Sequence, residues 1–329
     1  MINRRRLVQT MAAAPLAGTV LLNVSGVLAQ NASPVRVASK DFPESIAIGE
    51  MYALLLEHAG LKVERSLNLG GTAIAQEALV SNKIDLYPEY TGTGLLVVLK
   101  KALTDVPGLS TPVASASPEV GATPAAANAV DAVYQYVKTE YKSQFNLVWL
   151  DQDQMNDSQA LAVTKDFATK NNLTTISDLV ALASTVDIKI SAPVDFEDRD
   201  DGLKGLKQVY GDFNATVTGV APGLKYQSFL DGDANVVLAF STDAEIAINN
   251  LVVLADDKGL WPPYYVAPVV RQEALDANPS LAGALNALAP ILTTEAMIAL
   301  NGEIVGDQKK DPKDVAKEFL TAKGLISQA

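Results

Sequence analysis

The chain lacks cysteine, and its 329 residues include a single histidine, His58. These absences exclude a thiolate nucleophile, a disulfide framework and a metal cluster built from cysteine or several histidines. A Ser-His-Asp triad would have to use His58, which lies in "GEMYALLLEHAG" among apolar residues at helical spacing. A histidine near a helix C-terminus, just before the stop residue Gly60, is the simpler interpretation. We therefore expect no catalytic residue, no metal and no cofactor.

Basic residues are scarce relative to acidic ones, 26 against 38, which gives a formal net charge of −12. Residues 1–29 contain three arginines and no acid, so the remainder of the chain is more acidic still. No basic patch is available to release counterions from nucleic acid or from an anionic membrane. The charge disfavours nucleic acid as a partner and is compatible with a cationic or zwitterionic solute.

Long apolar runs are absent except near the start of the chain. There, "NRRRLVQ" precedes apolar stretches that end in "VLA", which predicts an export signal over 1–29 with cleavage after Ala29. The paired arginines resemble a twin-arginine signal, and a plain secretory signal is the alternative. We expect a periplasmic or otherwise extracytoplasmic protein that is not a lipoprotein, because no cysteine is present for lipid attachment.

From Val35 onward, short apolar runs alternate with helical periodicities, which predicts parallel sheets with helices packed on them. One such unit ends with the strand "IDLYPEY", and a second begins after Met155. The sequence after "WPPYYVAPVVR" is predicted to be helical. Residues 104–128 hold four prolines and two charges, so we expect a flexible surface insertion, followed by a helix with Asn128 as its N-cap.

Ligand-binding residues are expected where the strands of such sheets give way to helices. In "SKDFPE", Lys40 can meet a ligand carboxylate, or it is merely solvated beside Asp41 as a helix N-cap. In "DLYPEYTGTG", Tyr90 can present its π face to an organic cation, and Thr93 can donate a hydroxyl hydrogen bond. A quaternary ammonium has no N–H, so aromatic faces have to hold it.

The second unit offers comparable residues. Arg199 lies among five acids in "VDFEDRDDG", where its guanidinium can fork onto a ligand carboxylate or simply balance local charge. Phe240 in "LAFSTDAE" and Tyr264 in "WPPYYVAPVVR" place aromatic rings at element ends late in the chain.

Taken in order, "ASKDFPESIAIGEMYALLLEHAG", "LNLGGT", "IDLYPEYTGTG", "VWL", "FSTDAE" and "YYVAPVVR" resemble the motifs of one protein family. The chain is similar, from Val35 to about Ser327, to the substrate-binding proteins of ABC importers for glycine betaine, carnitine and choline. The resemblance implies a two-lobed α/β periplasmic-binding-protein fold of type II, with two parallel-rich sheets flanked by helices and the ligand in the cleft between the lobes. It also implies lobe 1 over 34–156 plus 259–329 and lobe 2 over 157–258, joined by two crossovers.

The resemblance further implies roles for single residues. Lys40, Thr93 and Arg199 would hold the ligand carboxylate, while Tyr90 and Tyr264 match two walls of an aromatic cage for trimethylammonium. Phe240 stands where a tyrosine is common, and Gln159 occupies an aromatic's position, which opens one side of the cage. The predicted ligand-binding set is Lys40, Tyr90, Thr93, Gln159, Asp195, Phe196, Arg199, Phe240 and Tyr264.

The function implied is a monomeric solute receptor that closes on its ligand and docks on a permease with a cytoplasmic ATPase, for osmoprotectant uptake. A receptor for another zwitterion, such as an amino acid, is an alternative. A secreted hydrolase that uses a carboxylate pair, for example Glu89 and Asp195, is a more distant one.

Overall fold

The computed structural model describes residues 33–109 and 124–327. The predicted export signal, 1–29, and the part of the predicted insertion over 110–123 lie outside these residues. Among the helices of the described part, none is long and apolar enough to cross a membrane.

Ten strands form two five-stranded sheets in the described residues. They are β1 (Val35–Ala38), β2 (Val63–Ser66), β3 (Leu86–Tyr90), β4 (Leu147–Trp149), β5 (Gln159–Thr164), β6 (Ile188–Ala192), β7 (Ala215–Gly219), β8 (Val236–Phe240), β9 (Leu251–Leu254) and β10 (Val266–Arg271). The first sheet has the order β2-β1-β3-β10-β4, and the second has the order β7-β6-β8-β5-β9. The chain thus passes to the second sheet between β4 and β5 and returns between β9 and β10.

The two sheets share one pattern of strand directions. β1 pairs in parallel with β2 and β3, and β6 pairs in parallel with β7 and β8. β10 and β5, the strands that arrive from the other sheet, are antiparallel to both of their neighbours. The sheets are therefore evenly mixed instead of parallel-rich, because a strand that enters from the far side of a crossover runs against the βαβ direction.

Twelve helices flank the sheets in the described residues. They are α1 (Pro43–His58), α2 (Thr72–Val80), α3 (Pro124–Phe145), α4 (Lys165–Asn171), α5 (Ile176–Leu182), α6 (Leu203–Tyr210), α7 (Lys225–Leu230), α8 (Glu245–Ile248), α9 (Gln272–Ala277), α10 (Leu281–Asn286), α11 (Thr294–Val305) and α12 (Pro312–Ala322). A short helical turn, Thr91–Thr93, follows β3 and continues into a π-helical segment, Gly94–Val98. Three short 3₁₀ turns complete the set: Leu103–Asp105, Val194–Glu197 and Pro222–Leu224.

Helix α1 begins with Pro43, whose fixed φ suits the first helical position, and its N-cap is Phe42. Asp41 is therefore not the N-cap that the sequence suggested. Helix α3 begins at Pro124, so position 128 lies inside that helix and Asn128 is not its N-cap either. In both cases proline marks the start, because its missing N–H would have no intrahelical partner there.

The first residues of the predicted insertion, 104–109, pack against the core. Leu103–Asp105 forms a 3₁₀ turn, and Val106 is buried in the hydrophobic cluster that also contains Tyr141 and Trp149. Apolar side chains within a polar, proline-rich stretch supply this anchor, so the expectation of a flexible segment from residue 104 onward is wrong for residues 104–109.

Candidate functional site

A cavity of about 1070 Å³ opens where strands of both sheets end. Tyr90 ends β3, Phe240 ends β8 and Gln159 begins β5, so the cavity wall is drawn from both sheets. All nine predicted positions line this cavity: Lys40, Tyr90, Thr93, Gln159, Asp195, Phe196, Arg199, Phe240 and Tyr264. His58 is exposed in the last turn of α1 and is not among the described residues that line it.

Lys40 is not solvated. Its side chain is only 5% exposed, and its Nζ lies 2.7 Å from Oε1 of the fully buried Glu89. The same Nζ is 4.5 Å from the centroid of the Tyr90 ring and 5.6 Å from that of Phe42. The ammonium is thus held between one carboxylate and two aromatic faces.

Glu89 lies behind Lys40. Its Oε1 also accepts the backbone N–H of Tyr90 at 2.7 Å, and its Oε2 accepts the hydroxyl of Tyr87 at 3.0 Å. Of the described residues, Glu89 is not one that lines the cavity. The carboxylate pair of the hydrolase hypothesis, Glu89 with the exposed Asp195, is therefore not assembled facing the cleft.

The segment "TGTG" after Tyr90 contains two glycines, and aromatic rings pack directly against the backbone at both of them. A Cβ at Gly92 would come within 2.7 Å of the Tyr264 ring, and one at Gly94 would come within 2.9 Å of Trp149. Only glycine permits such close approach. Tyr264 is thereby fixed against the turn that carries Thr93, and it lines the cavity from the segment before β10.

Arg199 is braced by a buried carboxylate. Its Nε and Nη2 donate to the two oxygens of Asp201 at 2.7 and 2.8 Å, and its Nη1 is 3.4 Å from Asp195. Burial alone would raise the pKa of Asp201, but the Arg199 charge and the hydrogen bonds of its neighbours outweigh burial and lower that pKa. The Arg199 side chain remains 21% exposed and lines the cavity.

Gln159 and Tyr264 complete the network around Asp201. Gln159 Nε2 donates to Asp201 Oδ2 at 2.6 Å, and the Tyr264 hydroxyl donates to the same oxygen at 3.2 Å. Gln159 Nε2 also lies 3.1 Å from the Tyr264 hydroxyl. Gln159 therefore links the first strand of the second sheet to the segment that leads back into the first sheet, instead of leaving an open wall.

An ammonium group of the protein, that of Lys225, lies over the Phe240 ring. Lys225 Nζ lies 4.1 Å from the Phe240 centroid and 5.0 Å from that of Tyr226, and it pairs with Asp243 at 2.8 Å. Lys225 lies in α7 and lines the cavity. Phe240 and Tyr90, both predicted as cage walls, thus each carry a lysine ammonium of the protein itself.

A group of polar residues adjoins Tyr90. The Tyr90 hydroxyl donates to Glu44 Oε1 at 2.7 Å, and Asn301 Nδ2 donates to Glu44 Oε2 at 3.0 Å. Thr242 donates its hydroxyl to Asp157 Oδ1 at 2.5 Å. Burial raises the pKa of Glu44 and of Asp157, and nearby carboxylates add to the effect.

The remaining predicted residues differ in exposure. The Asp195 side chain is 56% exposed at the cavity edge, close to Gly71, whereas Phe196 is buried in the core and touches the cavity only as part of its wall. Thr93 is buried beside Tyr90 at the start of the π-helical segment.

Sequence reasoning missed several polar residues of the cavity wall, among them Glu44, Asp157, Lys225 and Asn301. Glu44 stands in the same "SKDFPE" motif as Lys40, and its position in the first turn of α1 was a usable signal. Asn301 lies in α11, 257 residues after Glu44, and no local pattern relates the two.

The chain matches a known protein family and is similar to several known proteins. Residues 33–322 match the family described as the substrate binding domain of the ABC-type glycine betaine transport system. The chain is 33% identical over 293 residues to the ergothioneine transport permease/ergothioneine binding protein EgtU of Helicobacter pylori. That alignment covers 89% of this chain and 48% of EgtU, so the chain spans about half the length of that relative.

Two further likenesses extend over nearly the whole of both chains. The carnitine transport binding protein OpuCC of Listeria monocytogenes is 30% identical over 304 residues, which cover 91% of this chain and 89% of OpuCC. A crystal structure of a glycine betaine/carnitine/choline ABC transporter superposes with a TM-score of 0.63 at 28% identity, over 89% of this chain and all of the other. The two-lobed fold that the sequence predicted is thereby confirmed. The chain belongs to the family of substrate-binding domains of ABC-type glycine betaine transport systems.

Proposed function

We propose that this chain captures a small zwitterion with a quaternary ammonium group and delivers it to the permease of an ABC importer. The observation that carries the proposal is the single cavity lined by all nine predicted positions, from both sheets. The solutes named for the relatives, ergothioneine and carnitine, both carry a trimethylammonium group and a carboxylate.

The cavity wall offers suitable chemistry for both ends of such a solute. Arg199, partly exposed in the cavity wall, can bind a carboxylate, and the aromatic rings of Tyr90, Tyr264 and Phe240 supply π faces for a methylated cation. A solute that bridges residues of the two sheets stabilises the closed arrangement of the lobes, and the closed form docks on the permease. We propose that the lobes divide at 34–156 plus 259–329 and 157–258.

The same proposal covers the oligomeric state, location, export and partners of the protein. The protein is a monomer outside the cytoplasm, exported by a twin-arginine-like signal and without a lipid anchor, and the permease works with a cytoplasmic ATPase. It is a receptor and not an enzyme, in keeping with a family of transport solute-binding domains. Osmoprotectant uptake is the expected physiological role.

Calorimetry on ligand-free, refolded protein tests the proposal. Glycine betaine, carnitine, choline, ergothioneine and a set of amino acids are titrated in turn, and we expect heat from at least one quaternary ammonium zwitterion. Tyr90→Ala should weaken the binding of that solute roughly two- to thirtyfold, since it deletes a ring worth about 0.5–2 kcal/mol and removes one face from the Lys40 ammonium. Tyr90→Phe is the matched control, because it keeps the ring and removes only the hydrogen bond to Glu44.

One observation favours a second candidate, a receptor for an amino acid or another solute with a primary ammonium. Lysine ammonium groups already lie over the rings of Tyr90 and Phe240, and the carboxyl groups of Glu44 and Asp157 can accept N–H donors. Heat from primary amines alone in the same titrations would favour this candidate and reject the quaternary ammonium solute.

A further inference from the structure

The cavity contains two buried carboxyl groups that have no basic partner. Lys40, Arg199 and Lys225 each form an ion pair with a carboxylate of the protein. Glu44 and Asp157 form no ion pair with any described residue, although both line the cavity. Beside Glu44 and Asp157, the cavity therefore favours a ligand group that supplies a hydrogen-bond donor or a positive charge.

A neutral acceptor beside these carboxyl groups is unpartnered as well. Asn301 is 5% exposed, lines the cavity, and its Oδ1 has no hydrogen-bond partner among the described residues. The orientation of this amide is fixed, because Nδ2 donates to Glu44 Oε2 and to the backbone oxygen of Thr242, both at 3.0 Å. Exchanging the amide atoms would set an oxygen against two oxygens.

The protein itself offers this group few further donors. The Tyr90 hydroxyl is used by Glu44, and the Thr242 hydroxyl is used by Asp157. A trimethylammonium group has no N–H and satisfies none of these acceptors. A buried acceptor without a partner is costly, and a donor on a solute that reaches it offsets that cost.

We propose that Glu44, Asp157 and Asn301 form a donor-accepting subsite next to Tyr90, which receives an N–H or O–H group that the solute carries in addition to its quaternary ammonium. The inference rests on the proposed function and narrows its substrate class. Glycine betaine has no such donor, whereas carnitine has a hydroxyl group and ergothioneine has ring N–H groups. The preferred solute is thus larger than glycine betaine, and a cavity of about 1070 Å³ has room for it.

The test compares solutes that differ in one donor. Carnitine is titrated against γ-butyrobetaine, which is carnitine without its hydroxyl group, and histidine betaine is titrated against its ring-N-methylated derivative. In at least one pair, we expect the donor-bearing member to bind at least about fivefold more tightly, because the other member leaves a buried acceptor unpaired. This comparison needs only the unmodified protein.

A variant of Asn301 tests whether this residue causes the preference for the donor-bearing solute. Asn301→Leu keeps the approximate shape of the side chain and removes its Oδ1 acceptor. The ratio of the two affinities within the pair should therefore fall to about one. Asn286→Leu is the matched control, since Asn286 is half-buried in α10, outside the cavity, and its Oδ1 accepts a backbone N–H of Asp151. The control should keep the preference of the unmodified protein.

The possible results of these titrations distinguish a failure of the donor subsite from a failure of the proposed function. Equal affinity within both pairs overturns the donor subsite and leaves the quaternary ammonium receptor standing. Equal weakening of both members by Asn301→Leu also overturns it, because the residue would then be merely structural. If none of the four solutes binds while primary amines do, the proposed function fails and the inference fails with it.

Discussion

Lys40 and Arg199, the two cations predicted for the cleft, are both paired with a buried carboxylate, but the carboxylates hold them differently. Glu89 meets Lys40 with one oxygen, and the ammonium is enclosed by aromatic rings with 5% of the side chain exposed. Asp201 meets Arg199 with both oxygens from one side, and 21% of the arginine side chain stays exposed.

The difference indicates that the two cations have different roles. An arginine has five N–H donors, so a bidentate contact to Asp201 leaves donors for a ligand. The Lys40 ammonium is already shared among Glu89, Thr72 and the Tyr90 ring. We infer that Arg199 is the better anchor for a solute carboxylate, and that Lys40 mainly fixes the ring of Tyr90.

The largest effect is expected from Asp201→Asn. This change removes the partner of a largely buried guanidinium and alters the hydrogen bonds from Gln159 and Tyr264 to the same carboxylate. Because arginine keeps its proton at any accessible pH, its charge is left with only the exposed Asp195 at 3.4 Å, and the free energy of unfolding should fall by about 3–5 kcal/mol. Urea unfolding followed by tryptophan fluorescence measures this loss. A loss below about 1 kcal/mol would show that the Asp201 network is not structural.

Glu89→Gln breaks the other pair. It leaves a buried ammonium without its carboxylate, which should cost up to about 3–5 kcal/mol of the free energy of unfolding. Urea unfolding measures this loss.

Asp201→Asn under the same conditions is the comparison. The loss from Glu89→Gln should not exceed the loss from Asp201→Asn, because one carboxylate oxygen meets Lys40 whereas two meet Arg199. A larger loss from Glu89→Gln would contradict the distinction drawn between the lysine and the arginine pair.

The positions of these cations could be predicted from the sequence, whereas their partners could not. Strand ends are visible as changes of hydrophobic period, and parallel strands end at one edge, so residues at such junctions converge. Asp201 lies two residues from Arg199 among several other acids, and nothing local distinguishes it from Asp195 or Asp200. Glu89 is 49 residues from Lys40, and only the pairing of β1 with β3 brings them together.

Strand β10 is likewise not evident from local sequence. Pro268 argues against a central strand, since proline cannot donate to the ladder. In the structure, Pro268 lies directly opposite Pro88 of β3, so the two missing donors fall at one step of the ladder. That compensation depends on a pairing between residues 180 positions apart, which no local pattern contains.

Arg199→Lys should have a smaller effect, and it should be selective among solutes. Lysine offers a point charge in place of a fork, so a solute carboxylate should lose about 1–2 kcal/mol of binding free energy, roughly five- to thirtyfold in affinity. Choline has no carboxylate and should be affected less. Calorimetry of the variant with choline and with a carboxylate-bearing solute measures the difference. If both lose affinity equally, Arg199 does not anchor the carboxylate.

Gln159→Leu should have the smallest effect on stability. The change removes one donor to Asp201, at 2.6 Å, and the contact to the Tyr264 hydroxyl, but Arg199 and Tyr264 still bond Asp201. A neutral hydrogen-bond donor to a charged group contributes about 1.5–3 kcal/mol, and the shape of leucine recovers part of this through packing, so we expect a net loss of about 1 kcal/mol. Urea unfolding beside Asp201→Asn gives the comparison. A loss as large as that of Asp201→Asn would make Gln159, and not Arg199, the main partner of the buried carboxylate.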